Sequence, residues 1–190
     1  EINWLESFDT DSVLDLLTSS TVMMGVPTYY TRLLSSDKLD KELVKNIRLF
    51  ISGSAPLLEE TFTQFKEKTG KHILERYGMT ETNIISSNPV NGNRKPGTVG
   101  LPLKDQYVRI VNDTNDLLEL GEIGNIQVKG DNVFSGYWNL PDKTKEDFSS
   151  DNFFNTGDKG YFDEEGYLII VGRSKDMIIS GGLNVYPKEV

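Results

Sequence analysis

The chain has 190 residues, of which 29 are acidic and 20 are Lys or Arg, and its formal net charge at pH 7 is −9. This length suits one domain or a compact pair of domains. The acidic balance argues against a nucleic-acid partner, since such binding depends on lysine and arginine that neutralise phosphates. The lack of cysteine excludes disulfides, thiolate metal sites and cysteine nucleophiles, and it fits a cytoplasmic protein. No apolar run approaches the length that a membrane span requires.

The first 96 residues alternate between helical and strand patterns. Four segments carry apolar residues at helical spacing, which predicts helices over 12–19, 28–34, 39–44 and 57–69. Three short apolar runs predict strands over 21–26, 47–51 and 72–77. Strands separated by helices indicate a parallel sheet with crossover connections, so we predict an α/β subdomain over 1–96.

A different pattern follows residue 96. Four short segments alternate polar and apolar side chains or flank a turn, and they predict strands over 107–111, 124–129, 160–162 and 167–171. We therefore predict a small antiparallel sheet or barrel over 97–172. Another short strand is predicted over 177–179.

Two polar clusters follow predicted strands of the first region. Residues 52–56 are small and let the backbone approach a flat ligand, while 77–81 offer an aromatic ring, a hydroxyl and a carboxylate. The carboxylate of Glu81 suits Mg²⁺, a hard ion that takes oxygen ligands and often bridges to phosphate. Either cluster alone could be an ordinary turn. Two of them at neighbouring strand ends favour a ligand crevice, because open α/β sheets bind ligands there.

Two further clusters lie in the second region. Asp158 follows a glycine, and its ionised carboxylate accepts hydrogen bonds without donating, which suits a vicinal diol. An aspartate that caps its own turn is the alternative. Arg173 could donate to the same diol or to phosphate, or it could pair with Asp176 at the surface. The pair Gly181–Gly182 permits either a turn or a close ligand approach.

Four segments, in the order in which they occur along the chain, resemble the core motifs of the adenylate-forming superfamily. This superfamily contains acyl-CoA synthetases, luciferases and peptide-synthetase adenylation domains. The segments are ISGSAPL (51–57), RYGMTET (76–82), FNTGD (154–158) and GRSKDMIISGG (172–182). The resemblance covers nearly the whole chain, and its uninterrupted end is most similar to acyl-CoA synthetases. The upstream phosphate loop and the C-terminal lysine of the superfamily are absent. We therefore expect a fragment that lacks N-terminal and C-terminal parts, in which 173–190 form the hinge and the start of a truncated C-terminal domain.

The resemblance implies a ligase that uses ATP, Mg²⁺ and CoA. An acid would first react with ATP to give acyl-AMP, and CoA would then displace AMP to give a thioester. The backbone of four residues would line the adenine pocket: Gly53, Ser54, Ala55 and Pro56. Tyr77, next to Gly78, would stack on the base, Thr80 would contact phosphate, and Glu81 would bind Mg²⁺.

The later motifs imply the remaining roles. Asp158 would hold the ribose hydroxyls with help from Arg173. Lys175 matches the hinge about which the small domain of the superfamily rotates, and Gly181 and Gly182 would lie near the pantetheine path of CoA. Since the phosphate loop and the terminal lysine are missing, the isolated chain is expected to be inactive as a ligase.

Residues 26–34 together with 75–81 resemble malonyl-CoA synthetases. By that match Arg32 and Arg76 would clamp the distal carboxylate of malonate, and arginine does recognise carboxylates in a bidentate way. Arg32 could instead pair with Asp37 at the surface, and on an ideal strand Arg76 faces away from its neighbour. A ligase for another short-chain or aromatic acid, and a nucleotide-binding module without ligase activity, remain alternatives.

Overall fold

The computed structural model describes residues 2–176, 178–180 and 183–185, and it contains two compact units. The first unit comprises the residues up to Arg76 and Asn88–Gly97. The second comprises Tyr77–Ser87 and the residues from Thr98 onward. The predicted boundaries after residues 96 and 172 remain predictions; in the structure the chain enters the second unit at Tyr77, returns to the first at Asn88 and leaves it again after Gly97.

The first unit is built from alternating helices and strands: α1 (Thr10–Leu17), β1 (Val22–Gly25), α2 (Pro27–Leu34), β2 (Leu49–Ser52), α3 (Glu59–Thr69) and the start of β3 (Ile73–Met79). Strands β1, β2 and β3 are parallel, with Met24 opposite Ile51 and Ile51 opposite Leu74. The predicted parallel sheet with crossover helices is therefore confirmed. Its core includes Tyr30, whose ring lies edge-on to Phe65 at a centroid distance of 5.4 Å.

Local signals explain where these helices begin and end. Asp9 caps α1 by accepting from the backbone N–H of Ser12 at 2.9 Å, and Pro27 occupies the first turn of α2. Gly70 ends α3 in the left-handed region at φ 69°. The predicted helix over 39–44 is wrong, since these residues form turns. There the Asp40 carboxylate accepts from the Leu43 N–H at 2.8 Å, which offers the backbone an alternative to a helix.

The second unit holds the end of β3 and a series of later elements: β4 (Asn83–Ser87), β5 (Leu101–Pro102), β6 (Tyr107–Val111), β7 (Gly124–Lys129), α4 (Pro141–Asp147), β8 (Phe154–Phe162) and β9 (Leu168–Arg173). Strands β6 to β9 form one antiparallel sheet in sequence order, so the predicted small antiparallel sheet is confirmed. A 3₁₀ turn (Ser174–Asp176) and an antiparallel pair, β10 (Ile178–Ser180) and β11 (Leu183–Val185), follow. No helix in the described ranges has the length and apolar character needed to cross a bilayer.

An ion pair fastens the loop before β8 to the antiparallel sheet. Both carboxylate oxygens of Asp151 accept from Arg109, at 2.6 and 2.9 Å, and the guanidinium lies 3.8 Å from the ring centroid of Phe153. The hydrogen bonds from Arg109 are the largest cause that lowers the pKa of Asp151 from 3.8 to about 2. The carboxyl group therefore stays ionised in the folded protein far into the acid range.

Acid titration should reveal this pair. Because the pKa of Asp151 is lower in the folded than in the unfolded protein, the pair stabilises the fold above about pH 4, and this stabilisation is lost as the pH falls towards about 2. We expect the urea midpoints of the wild type and Asp151→Asn to differ slightly near neutral pH and to converge near pH 2. The difference is small because half of the carboxylate is exposed. A difference that persists at the lowest pH would contradict this account.

Candidate functional site

In the first unit, candidate residues gather at the carboxyl ends of the three parallel strands. The register places Gly25 opposite Ser52 and Ser52 opposite Glu75, so the loop after β2 leaves the sheet beside Arg76. Gly53 is buried, whereas Ser54, Ala55 and Pro56 are exposed in this loop. Ser54 adopts a left-handed φ of 69°, a conformation that non-glycine residues rarely take. The predicted adenine-pocket segment is thus an exposed strand-end loop.

Two contacts define the course of this loop. The buried carboxylate of Glu75 accepts from the backbone N–H of Leu57 at 3.0 Å and holds the end of the loop to β3. A Cβ on Gly53 would lie 3.4 Å from the Arg76 carbonyl oxygen and 3.5 Å from its Cγ, so the backbone there runs close against Arg76. Glu75 has no predicted role, although a carboxylate inside an apolar strand is a signal that the sequence contains.

The guanidinium of Arg76 is poorly satisfied by hydrogen bonds to the described residues. Its Nη2 donates to the thioether sulfur of Met24 at 3.4 Å, and sulfur is a weak acceptor. Its Nε is buried and has no hydrogen-bond partner among the described residues. A buried charged donor left without an acceptor is costly, and such groups in native structures call for an explanation such as a ligand. An anionic oxygen at this point would satisfy the guanidinium.

Arg32 lies on α2 and is exposed, with its guanidinium 5.6 Å from the ring centroid of Phe8. Within the described ranges it forms no ion pair with Asp37, so that alternative is wrong. No contact in those ranges joins it to Arg76 either. The two-arginine clamp therefore remains a prediction, and Arg76 is the member with a local structural reason to bind an anion.

In the second unit, the buried Asp158 carboxylate is the centre of a polar cluster. Its Oδ2 accepts from the Tyr77 hydroxyl at 2.5 Å, and its Oδ1 accepts from Nε of Arg173 at 3.0 Å. The residue is 7% exposed and lies within β8, where it pairs directly with Arg173 on β9. Two expectations are corrected here. Asp158 does not cap a turn of its own, and the ionic partner of Arg173 is Asp158 instead of Asp176.

Tyr77 and Gly78 both lie within β3, which continues two residues beyond the predicted strand over 72–77. Burial, followed by the charge of Asp158, raises the pKa of Tyr77 far above its ordinary value, so the phenol stays protonated and donates. Its ring belongs to the core of the second unit and is 9% exposed, and stacking on a base remains a prediction. A Cβ on Gly78 would come within 1.9 Å of the Asn83 carbonyl oxygen, which gives this glycine a packing role.

Thr80 and Glu81 occupy the tight turn between β3 and β4, closed by a 3.1 Å hydrogen bond from the Thr82 N–H to the Met79 carbonyl. Thr80 is exposed and Glu81 is half-buried. The Tyr137 hydroxyl donates to Oε1 of Glu81 at 3.3 Å. Partial burial, followed by the charge of Glu81, raises the pKa of Tyr137 to about 12. No role is predicted for Tyr137 from the sequence alone.

The side-chain oxygen atoms of this turn suit a Mg²⁺ ion that is shared with a nucleotide. The described ranges contain no group of three or more His, Cys, Asp or Glu side chains that could enclose a metal. Mg²⁺ commonly keeps several waters and binds through one or two carboxylates together with substrate phosphates. Glu81 and the exposed hydroxyl of Thr80 suit such a shared ion, brought by a nucleotide, and not a closed protein site.

The last predicted site residues lie at the end of the chain. Lys175 is exposed in the 3₁₀ turn after β9, which agrees with an accessible position but does not test a hinge role. Gly181 and Gly182 lie outside the described residues. Their predicted position near CoA therefore remains a prediction.

Comparisons with known proteins identify the family. The family model described as "AMP-binding enzyme" matches residues 4–138, which is more than half of the chain. The chain belongs to this family of AMP-binding enzymes, and the resemblance to adenylate-forming enzymes is confirmed.

The relatives are CoA ligases and a nucleotide-bound enzyme. A malonate–CoA ligase of Arabidopsis thaliana is 44% identical over 90% of this chain and 29% of its own length. A long-chain-fatty-acid–CoA ligase of Bacillus subtilis is 38% identical over 100% of this chain and 34% of its own. The ATP-bound crystal structure of MatB from Rhodopseudomonas palustris superposes with a TM-score of 0.95 at 56% identity, over 98% of this chain and 37% of that one. The chain spans about a third of the length of the curated relatives it matches.

Proposed function

We propose that the full-length protein carrying this chain is an acid–CoA ligase that activates malonate. The carboxylate of malonate attacks the α-phosphate of ATP and releases pyrophosphate, which leaves malonyl-AMP. The thiol of CoA then attacks the acyl carbon, AMP departs, and the thioester malonyl-CoA forms. The location of this reaction in the cytoplasm is part of the proposal.

The observation that carries the malonate assignment is the buried Nε of Arg76, which has no partner among the described residues. A second carboxylate on the substrate supplies the acceptor that this guanidinium lacks, and arginine binds carboxylates with two parallel hydrogen bonds. A monocarboxylic acid offers nothing to Arg76. The malonate–CoA ligase of Arabidopsis thaliana, 44% identical to this chain, supports the same substrate.

The nucleotide half of the proposal assigns one role to each of the remaining candidate residues. The exposed loop Gly53–Pro56 contacts the adenine, Tyr77 stacks on the base beside Gly78, and Asp158 with Arg173 holds the ribose hydroxyls. Thr80 contacts phosphate, and Glu81 is the residue that holds Mg²⁺. Bound Mg²⁺ offsets the negative charge of the phosphates. The ATP-bound state of the related MatB supports nucleotide binding by this segment.

The chain's end is proposed to serve the second half-reaction. Lys175 acts as the hinge about which a C-terminal domain, beginning at 173, rotates after adenylation. Gly181 and Gly182 leave room for the pantetheine of CoA. A readout specific to this step is thioester formation from preformed malonyl-AMP, which Lys175→Pro should slow more than it slows adenylation.

A substrate profile of the full-length protein tests the malonate proposal. We expect malonate to give the highest kcat/KM when malonate, butyrate, benzoate and palmitate are compared in CoA thioester formation. The Bacillus subtilis relative, a long-chain-fatty-acid–CoA ligase, makes palmitate the informative competitor. A preference for palmitate or benzoate would reject malonate while leaving ligase activity in place, and no thioester from any acid would support a nucleotide-binding module.

Glu81→Gln should raise the Mg²⁺ concentration that gives half-maximal adenylation by at least about 10-fold, since loss of even an outer-sphere partner of a metal typically costs about 10- to 100-fold in affinity. The fold should survive, because Glu81 lies in a turn outside both cores. Adenylation is measured by ATP–pyrophosphate exchange across a Mg²⁺ titration. Glu164→Gln, the same change at an exposed turn residue, is the matched control. An unchanged Mg²⁺ titration in Glu81→Gln would reduce Glu81 to a turn residue.

A further inference from the structure

The segment that follows β7 is tied to the turn carrying Thr80 and Glu81 at three points. Nδ2 of Asn132 donates to the Thr82 carbonyl at 2.6 Å, and the Phe134 N–H donates to the Glu81 carbonyl at 2.8 Å. The third contact reaches a side chain, since the Tyr137 hydroxyl donates to Oε1 of Glu81 at 3.3 Å. Two hydrogen bonds thus fix the backbone of the turn, and the third acts on the Glu81 carboxylate.

The position of Tyr137 is set by its own neighbours. Its N–H donates to Oγ1 of Thr144 at 2.9 Å, and that hydroxyl donates to the Leu140 carbonyl, also at 2.9 Å. The ring of Phe134 packs edge-on at a centroid distance of 4.8 Å. Gly136, at φ 144°, leaves room for Thr144, since a Cβ there would lie 2.7 Å from the threonine methyl. These contacts aim the phenol independently of Glu81.

We propose that Tyr137 is a positioning residue that orients the Glu81 carboxylate towards its cation. The hydroxyl engages Oε1, while Oε2 receives no hydrogen bond from any described residue and stays available as a ligand. A neutral phenol restrains the carboxylate without cancelling its charge, whereas a lysine or arginine at this point would compete with the metal. The inference rests on the proposed role of Glu81 in holding Mg²⁺.

One competing acceptor lies close to the same hydroxyl. The carboxylate of Asp147, on α4, also interacts with Tyr137. A phenol has a single proton and can fully donate to one acceptor at a time. If Asp147 were its main partner, Tyr137 would merely anchor α4, and its loss would affect stability without affecting metal binding.

The test replaces Tyr137 with phenylalanine in the full-length protein. We expect the Mg²⁺ concentration for half-maximal adenylation to rise about 10-fold, the lower end of the usual range for outer-sphere contacts because 3.3 Å is a long hydrogen bond. The KM for malonate should not change. Binding of Mn²⁺, measured by electron paramagnetic resonance with a non-hydrolysable ATP analogue, should weaken by the same factor. Tyr107→Phe removes a hydroxyl from a tyrosine that is 68% exposed and serves as the control.

A double-mutant cycle with Glu81→Gln separates the possible results. If Tyr137 acts through Glu81, Tyr137→Phe should have almost no effect on Mn²⁺ affinity once Glu81 is already Gln. A change of less than about two-fold counts as no effect, because double-mutant cycles scatter by about that much. Equal losses in both backgrounds, or a lower melting temperature with unchanged Mn²⁺ affinity, would overturn the positioning role. If Glu81→Gln weakens Mn²⁺ binding and Tyr137→Phe does not, this inference fails and the proposed function stands. If neither variant changes Mn²⁺ affinity, Glu81 does not hold the metal, and the inference about Tyr137 is rejected with it.

Discussion

Arg76→Met should lower kcat/KM for malonate by roughly 30- to 4,000-fold in the full-length protein. Truncating one partner of a buried, hydrogen-bonded charge pair costs about 2–5 kcal/mol, and about 1.4 kcal/mol corresponds to a factor of ten. Methionine keeps much of the length of the side chain but removes the buried Nε that lacks a partner within the described ranges. Butyrate has no second carboxylate, so its kcat/KM should change little or rise as the pocket becomes apolar. Thioester formation with each acid is the measurement.

Arg32→Met decides whether the substrate is held by two arginines or by one. Arg32 is exposed and lies over Phe8, so its local environment does not demand an anion. If it completes the clamp, its loss should also reduce malonate use selectively. If it is a surface residue, malonate and butyrate should change together and slightly, because exposed charges contribute about 0–1 kcal/mol. Parallel small changes in both the Arg32 and the Arg76 variants would end the malonate assignment and leave the family assignment untouched.

The sequence predicted the sheets well where apolar periodicity dominates. Strands β6 and β7 begin and end at the predicted residues, and β1, β2 and β3 begin and end within two residues of their predicted positions. The failures have local causes. Asp40 diverts 39–44 into turns through its carboxylate, and α4 has no buried residue, so it carries no apolar stripe that could be read.

Residue types and spacing predict which side chains are candidates for the site, but they do not predict how these side chains are arranged. Strand-end position and residue chemistry drew attention to Asp158 and Arg173, yet their pairing follows from the β8–β9 register, which shifts at Lys159 and Gly160. A bulge of this kind leaves no clear pattern in the sequence. Tyr137 lies 56 residues from Glu81 along the chain. Contacts over such separations depend on tertiary packing, and a single sequence does not encode them in a readable form.

The buried carboxylate of Asp158 gives a second large expected effect. Its Oδ1 and Oδ2 each already accept one hydrogen bond, from Arg173 and Tyr77. A carboxylate offers about four acceptor sites, so two remain for the vicinal hydroxyls of ribose. Asp158→Ala should therefore weaken ATP binding by roughly 140- to 20,000-fold, since two hydrogen bonds to a charged group are worth about 1.5–3 kcal/mol each. The dissociation constant for ATP is measured by calorimetry on the full-length protein.

Stability must be followed in the same samples, because Asp158→Ala also leaves the buried Tyr77 hydroxyl without its acceptor. Tyr77→Phe removes that hydrogen bond from the other side and keeps both carboxylate oxygens, so it isolates the structural part of the effect. We expect Tyr77→Phe to lower the free energy of unfolding by about 1.5–3 kcal/mol while weakening ATP binding far less than Asp158→Ala does.

The isosteric Asp158→Asn, which keeps one acceptor oxygen, should fall between the two in ATP affinity. If Asp158→Ala and Tyr77→Phe weaken ATP binding equally, Asp158 serves the fold through its bond to Tyr77, and the ribose hydroxyls are held elsewhere.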